Sequence, residues 1–160
     1  GDFWGLDLDN WLDIAVFNFT VDRAGSHQIM EYRESSYLPW GASQEEVLED
    51  EEDHYDNGVE NLKQFAKDPA QLAAFQVVYD RVMPNALKRA FGRLEGADND
   101  FCLEHGLKRN TTEAIVNRYL KEMHSHMEGT GLMFPPMSAF DEIKCELADS
   151  TREILMSLQR

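Results

Sequence analysis

The sequence is poor in cysteine, and its two cysteines form no local motif. Cys102 and Cys145 lie far apart in the chain, and neither belongs to a Cys-x-x-Cys pair. This pattern predicts two buried or half-buried thiols in a reducing compartment. A single disulfide is the alternative if the protein is exported.

Long apolar runs are also missing. No stretch approaches the ~18–20 apolar residues that a membrane-spanning helix needs, and no signal peptide is visible. We therefore expect a cytoplasmic protein that does not enter a membrane. A leader removed during processing would leave no trace in this sequence.

Catalytic and cofactor signatures are absent as well. The sequence contains no Gly-x-Ser-x-Gly motif and no glycine-rich phosphate loop. Cys102 lies near Glu104 and His105, but a catalytic Cys–His pair is defined by geometry and not by closeness in sequence. We predict no catalytic residue and no cofactor.

Basic residues are scarce in the first part of the chain. Residues 1–60 contain 16 acidic residues but only Arg23 and Arg33, whereas acidic and basic residues nearly balance in residues 61–160. Most of the net charge of −15 therefore lies in the first third. Such a charge disfavours direct binding to nucleic acid and to anionic membranes, because both require Lys and Arg.

The densest acidic run, residues 45–56, follows Tyr37 and Trp40, two aromatic residues that we expect to be exposed. One interpretation is a solvated loop that keeps the protein in solution. The other is a docking surface for a basic protein, since segregated charge steers association and aromatic rings anchor it. The predicted partner-binding residues are Tyr37, Trp40, Glu45, Glu46, Glu49, Asp50, Glu51, Glu52, Asp53 and Asp56.

Two carboxylate–histidine pairs have the spacing of metal ligands on one helical face. Glu51 and His54 are three residues apart, and Glu122 and His126 are four apart. A di-iron bundle site needs the Glu-x-x-His motif twice, and the motif does not recur here. His124 and His126 cannot both join Glu122, because residues two apart do not face each other on a helix. We therefore predict incidental histidines and no metal site.

The N-terminal part of the chain has a strand-like pattern. Residues 14–22 alternate apolar and polar side chains, which predicts a half-buried strand. Residues 22–26 have turn composition, and residues 27–33 are suited to a return strand. We predict a β-hairpin here, followed by a loop over residues 34–56 in which residues 44–52 are compatible with a helix.

From Asn57 onward the apolar spacing becomes helical. We expect a helix to start at Asp68-Pro69, Pro84 to break or kink it, and a last core-forming helix to run from Ser138 to about Leu158. The fold class predicted is α+β, mainly α, with the hairpin followed by about five helices. We expect one domain over residues 1–160, with an acidic, aromatic-rich hairpin-and-loop portion (1–56) and a helical portion (57–160).

Three functions are compatible with these patterns. The first is a non-enzymatic binding protein that blocks a basic partner through its acidic third, such as an immunity protein for a toxin or nuclease, or an antagonist that mimics nucleic-acid charge. The second is a metal-dependent enzyme or sensor that uses carboxylate and histidine ligands. The third is a structural subunit that buries its aromatic residues in a larger assembly. We favour the first because the charge is segregated.

Overall fold

Helices make up the regular structure of residues 6–159, which a computed structural model describes except for the side chain of Glu52. A π-helical turn, Asn18–Asp22, joins the first two α-helices directly. The α-helices are α1 Trp11–Phe17, α2 Arg23–Arg33, α3 Leu38–Phe65, α4 Pro69–Ala90, α5 Ala97–Glu104, α6 Thr112–Met127, α7 Met137–Glu142 and α8 Asp149–Leu158. No strand occurs in residues 6–159, so the prediction of an α+β fold is wrong.

The predicted β-hairpin is replaced by α1, the π-helical turn and α2. The alternation in residues 14–22 is misleading because this segment is buried on more than one side: Ala15 and Val16 are adjacent in sequence and both are buried. A helix surrounded by other helices needs no polar stripe. Gly25, interpreted as part of a turn, lies inside α2.

Most of the predicted loop over residues 34–56 is wrong: only residues 34–37 lie outside a helix, while α3 includes the stretch 44–52 that is compatible with a helix and runs through the whole acidic region. Pro39 lies in the first turn of α3, where its missing N–H removes no helical hydrogen bond. The helix has 28 residues and crosses the expected boundary between residues 56 and 57. The division into a hairpin-and-loop portion and a helical portion therefore does not exist.

The core lies where α1, the π-helical turn, α4 and α6 meet, with α3 packed along the outside of the turn and α2. Its largest fully buried side chains are aromatic, and they come from helices far apart in sequence. These are Phe19, Phe75, Tyr79, Tyr119 and Phe140. The phenol of Tyr119 donates to the carbonyl of Thr20 at 3.0 Å, which joins α6 to the π-helical turn.

The predicted start of α4 is confirmed, whereas the predicted break at Pro84 and the single last helix are not. The carboxylate of Asp68 accepts hydrogen bonds from the backbone of Ala70 and Gln71, so the start of α4 is as predicted. Pro84 does not end this helix, because the proline is buried in the core and its packing outweighs one lost hydrogen bond. The predicted last helix is divided into α7 and α8. Lys144, with a φ of 54°, cannot continue a right-handed helix.

Two simpler expectations can be compared with the structure. Both thiols are free, with Cys102 half-buried and Cys145 buried, as predicted. In the described part of the chain, no helix combines the length and the apolar character needed to cross a lipid bilayer.

Candidate functional site

The outer side of α3 is a continuous acidic surface. Its exposed carboxylates are Glu45, Glu46, Glu49, Asp50, Asp53, Asp56 and Glu60, which we call the acidic face. At about 100° of rotation per residue, these seven positions fall within an arc of roughly 140°. The acidic residues that are close together in the sequence therefore lie on one side of α3.

The acidic face lacks internal neutralisation. Lys63 is the only Lys or Arg in α3, and the residue four positions before it is Val59, so no acidic residue of α3 has a Lys or Arg at i+4 within the helix. In the described part of the chain, no member of the face makes an ion pair with a basic side chain. Its negative potential is therefore directed outward to solvent.

Apolar side chains are exposed near the start of α3, beside the acidic face. Tyr37 is 61% exposed, Leu38 is 77% exposed and Trp40 is 47% exposed. Val47, two turns after Trp40 on the same side of the helix, is also exposed. We call these four residues the apolar strip. The ring of Trp40 packs edge-on against Tyr32 at a centroid distance of 5.9 Å, which limits its orientation.

Glu51 points away from the acidic face, although it was predicted to be part of the same docking surface. It is half-buried against the π-helical turn, where Asp22 faces it. The ligand-type atoms of Asp22, Glu51 and His54 all lie within 4.8 Å of one another, and the Nδ1 atom of His54 is 4.0 Å from Asp22 Oδ2. The carboxylate–histidine pair seen in the sequence therefore has a third member.

We call Asp22, Glu51 and His54 the triad. Its environment disfavours the ionisation of both carboxyl groups at once. Burial, reinforced by the charge of Glu51, raises the pKa of Asp22 to about 7, against a smaller opposing effect of His54. Burial also raises the pKa of Glu51, which His54 partly offsets. The side-chain amide of Asn18 is 3.1 Å from Asp22 Oδ2, in an orientation where it can donate a hydrogen bond. No Lys or Arg side chain forms an ion pair with either carboxylate within the described residues.

The second sequence pair, Glu122 and His126, lies in a different arrangement. Glu122 Oε2 accepts a hydrogen bond from His27 Nε2 at 2.9 Å, and Glu122 Oε1 pairs with the guanidinium of Arg23. His126 is farther away, with its Nε2 atom 4.0 Å from Glu122. Burial alone would raise the pKa of Glu122, but His27 and Arg23 outweigh burial and lower it to about 2.

The ion-pair network continues along the contact between α2 and α6. Arg118 Nε donates to His27 Nδ1 at 3.1 Å, so His27 is neutral and carries its proton on Nε2. Arg118 also pairs at 2.9 Å with Glu31, which is buried and accepts from Asn110. Each charged group of this ion-pair network has a partner of opposite charge, and the network joins α2 to α6.

Sequence reasoning missed Asp22, His27 and Glu31. Asp22 was interpreted as a turn residue, and the other two were placed on a return strand. A helical interpretation of residues 23–33 would have put Arg23, His27 and Glu31 at i, i+4 and i+8 on one face. That signal was present in the sequence but was obscured by the strand-like alternation before it.

No protein-family model matches this chain, and no curated protein matches its sequence. The surface of α3 and the polar clusters behind it are the features of this chain that point to a function.

Proposed function

We propose that the protein is a non-enzymatic binding protein whose acidic face docks onto a basic protein partner. The observation that carries the proposal is the row of seven exposed carboxylates on α3, none of them paired with Lys or Arg in the described residues. Concentrated like charge costs folding stability, and solubility alone does not require its concentration on one helix. A complementary positive surface removes that repulsion on binding.

The spacing of the charges favours a partner that itself binds nucleic acid. Residues 45–60 span about 22 Å of helix, so the seven carboxylates supply roughly one negative charge per 3–4 Å. A single nucleic-acid strand carries one phosphate per ~3.4 Å. A groove lined with Lys and Arg for phosphate would thus meet a similar charge density on α3, and the protein would act as an antagonist by occupying that groove.

The apolar strip supplies contacts that charge alone does not. Exposed aromatic rings are common anchors in protein interfaces, and they also attract Lys and Arg side chains through their π faces. Trp40 and Val47 project about 60–80° beyond the edge of the acidic face, so a partner that wraps partly around the first turns of α3 can contact both. In this arrangement the acidic face controls the rate of encounter and the strip controls the lifetime of the complex.

The test measures association with a fluorescent oligolysine peptide by stopped flow, over salt concentrations from about 0.05 to about 0.5 M. The face variant replaces Glu45, Glu46, Glu49, Asp50 and Asp53 by Gln or Asn. The control variant removes five exposed carboxylates elsewhere, at Glu95, Glu104, Glu142, Glu146 and Glu153. At low salt we expect the face variant to associate about tenfold more slowly than the wild type, and the control variant much less so.

A second arm tests the apolar strip. Trp40→Ala should mainly raise the dissociation rate, whereas Trp11→Ala, an exposed tryptophan on α1, should change neither rate. If the face and control variants slow association equally, net charge alone is responsible and the proposal fails. An association rate that does not depend on salt would contradict it as well.

A further inference from the structure

We propose that Asp22, Glu51 and His54 form a binding site for one divalent transition-metal ion, of the Mn²⁺, Fe²⁺ or Zn²⁺ class. The three side chains offer two carboxylate oxygens and one imidazole nitrogen within 4.8 Å of one another. Mixed oxygen and nitrogen donors suit these ions, whereas Mg²⁺ and Ca²⁺ favour oxygen alone. Three protein ligands leave coordination positions open to water or to a small ligand.

A close contact between the backbones of α3 and the π-helical turn brings the three ligands together. Gly58 lies one turn after His54 on α3, and a Cβ atom at this position would come within 2.4 Å of the backbone nitrogen of Phe19. The backbones of α3 and the π-helical turn are therefore in direct contact there. One turn further along this contact, Asp22 at the end of the π-helical turn meets Glu51 and His54. Single π-helical turns frequently mark functional sites, because they redirect side chains that a regular helix would place elsewhere.

Unsatisfied polar atoms provide an independent observation. In the described part of the chain, three buried side-chain atoms lack a partner with hydrogen-bond geometry: Arg23 Nε, Glu51 Oε2 and Tyr55 Oη. Arg23 and Tyr55 face Glu122 and belong to the ion-pair network between α2 and α6. Glu51 Oε2 belongs to the triad, and it is a buried carboxylate oxygen that faces Asp22. Buried polar atoms without partners are rare, and an ion with its bound water is one of the groups that satisfies them.

The neighbouring charges favour a cation over a shared proton. His54 lies beside both carboxylates, while Arg23, next to Asp22 in sequence, pairs with Glu122 and lies over the ring of Tyr55. Glu51 Oε2 in particular accepts no hydrogen bond from the described residues. A proton shared between the carboxylates would not use His54, whereas a metal ion engages all three side chains at once.

The test is a calorimetric titration of the full chain with Zn²⁺, repeated in excess Mg²⁺. We expect one Zn²⁺ per chain, a dissociation constant in the micromolar range or tighter, and little effect of Mg²⁺. Asp22→Asn, Glu51→Gln and His54→Ala should each weaken binding by at least about tenfold. Glu153→Gln and His105→Ala, exposed controls away from both proposed sites, should leave binding unchanged.

A thermal melt distinguishes lost binding from lost folding. Zn²⁺ should raise the melting temperature of the wild type and of both controls, but not of the three ligand variants. The face variant should still bind Zn²⁺ at this site, so the metal proposal and the docking proposal can fail separately. Weak Zn²⁺ binding that survives in the ligand variants would show adventitious binding to surface carboxylates and would overturn the metal site. Absence of stoichiometric binding to the wild type would overturn it too.

Discussion

Glu122 connects two helices through one carboxylate, because it pairs with both Arg23 and His27 of α2. Glu122→Gln should destabilise the protein at neutral pH by on the order of 2–4 kcal/mol, since it leaves the partly buried Arg23 without its counter-charge. The matched control is Glu128→Gln, which removes an exposed carboxylate whose partner is His124 at 3.6 Å. We expect the control to change stability by less than about 0.5 kcal/mol.

The effect of Glu122→Gln should depend on pH in a defined direction. The carboxyl has an ordinary pKa of 4.5 when unfolded and about 2 when folded. The stabilisation that the ionised carboxylate gives to the folded state is therefore fully present above pH 4.5 and is lost as the pH falls toward 2. Urea unfolding of the wild type and the variant should show curves that converge over this interval. Curves that stay equally far apart from pH 7 to pH 2 would show that the ion pair is not the source of the difference.

At the scale of single residues, spacing predicted part of the candidate site. Glu51 and His54 fall on one side of α3, as their i, i+3 separation indicates. Asp22 could not be predicted, since its position opposite Glu51 depends on the π-helical turn and on close contact with a helix about thirty residues later. Local patterns carry no information about such a contact.

At the scale of elements, the contact between α3 and the π-helical turn depends on a missing side chain. Gly58→Ala would place its Cβ atom 2.4 Å from the backbone nitrogen of Phe19. Because backbone atoms cannot move aside without displacing an element, we expect a loss of more than about 2 kcal/mol of unfolding free energy. Zn²⁺ affinity should fall as well if the proposed site exists, since the turn carries Asp22.

Gly25→Ala is the matched control for this substitution. Gly25 also lies within a helix, but a Cβ atom there would meet none of the described atoms within 4 Å. Alanine at this position should be neutral or stabilise the protein by up to about 1 kcal/mol, through higher helix propensity. Urea unfolding of the two variants compares them directly. Equal stability of the Gly58 and Gly25 variants would mean that the two backbones are not in close contact.

The sequence predicted the C-terminal helices better than the N-terminal ones. The start of α4 at Pro69 was predictable from Asp68, because capping is a local interaction between neighbouring residues. Residues 14–33 were misassigned because a deeply buried helix loses the polar stripe on which periodicity depends. The division between α7 and α8 was missed for a different reason. The apolar spacing continues across Lys144, while its backbone turns.

At the scale of the whole molecule, the predicted charge segregation has a simple structural form. The uneven distribution along the sequence becomes one acidic helix face, while the acidic and basic side chains of residues 61–160 nearly balance. Counting acidic and basic residues in each part of the sequence was enough to locate the excess negative charge in residues 1–60. Counting could not show that Glu51 turns inward, because the side of α3 that packs against α2 and the π-helical turn depends on contacts between elements far apart in sequence.

This distribution predicts how salt affects folding stability. In the native state the acidic face holds like charges on adjacent turns, so their repulsion opposes folding at low salt. The face variant should therefore melt about 2–4 °C above the wild type at low salt, which corresponds to roughly 1 kcal/mol for a chain of this size. The advantage should disappear in about 1 M salt, where the screening length falls to ~3 Å.

The control variant should gain less, because its five carboxylates lie in the part of the chain where acidic and basic residues nearly balance. Thermal melts of the three proteins over a salt series compare these expectations. If both variants gain equally, the repulsion is a property of the net charge and not of α3. If the face variant gains nothing at low salt, the acidic face costs no stability. A partner would then not be needed to relieve it, and the docking proposal would have to stand on association kinetics alone.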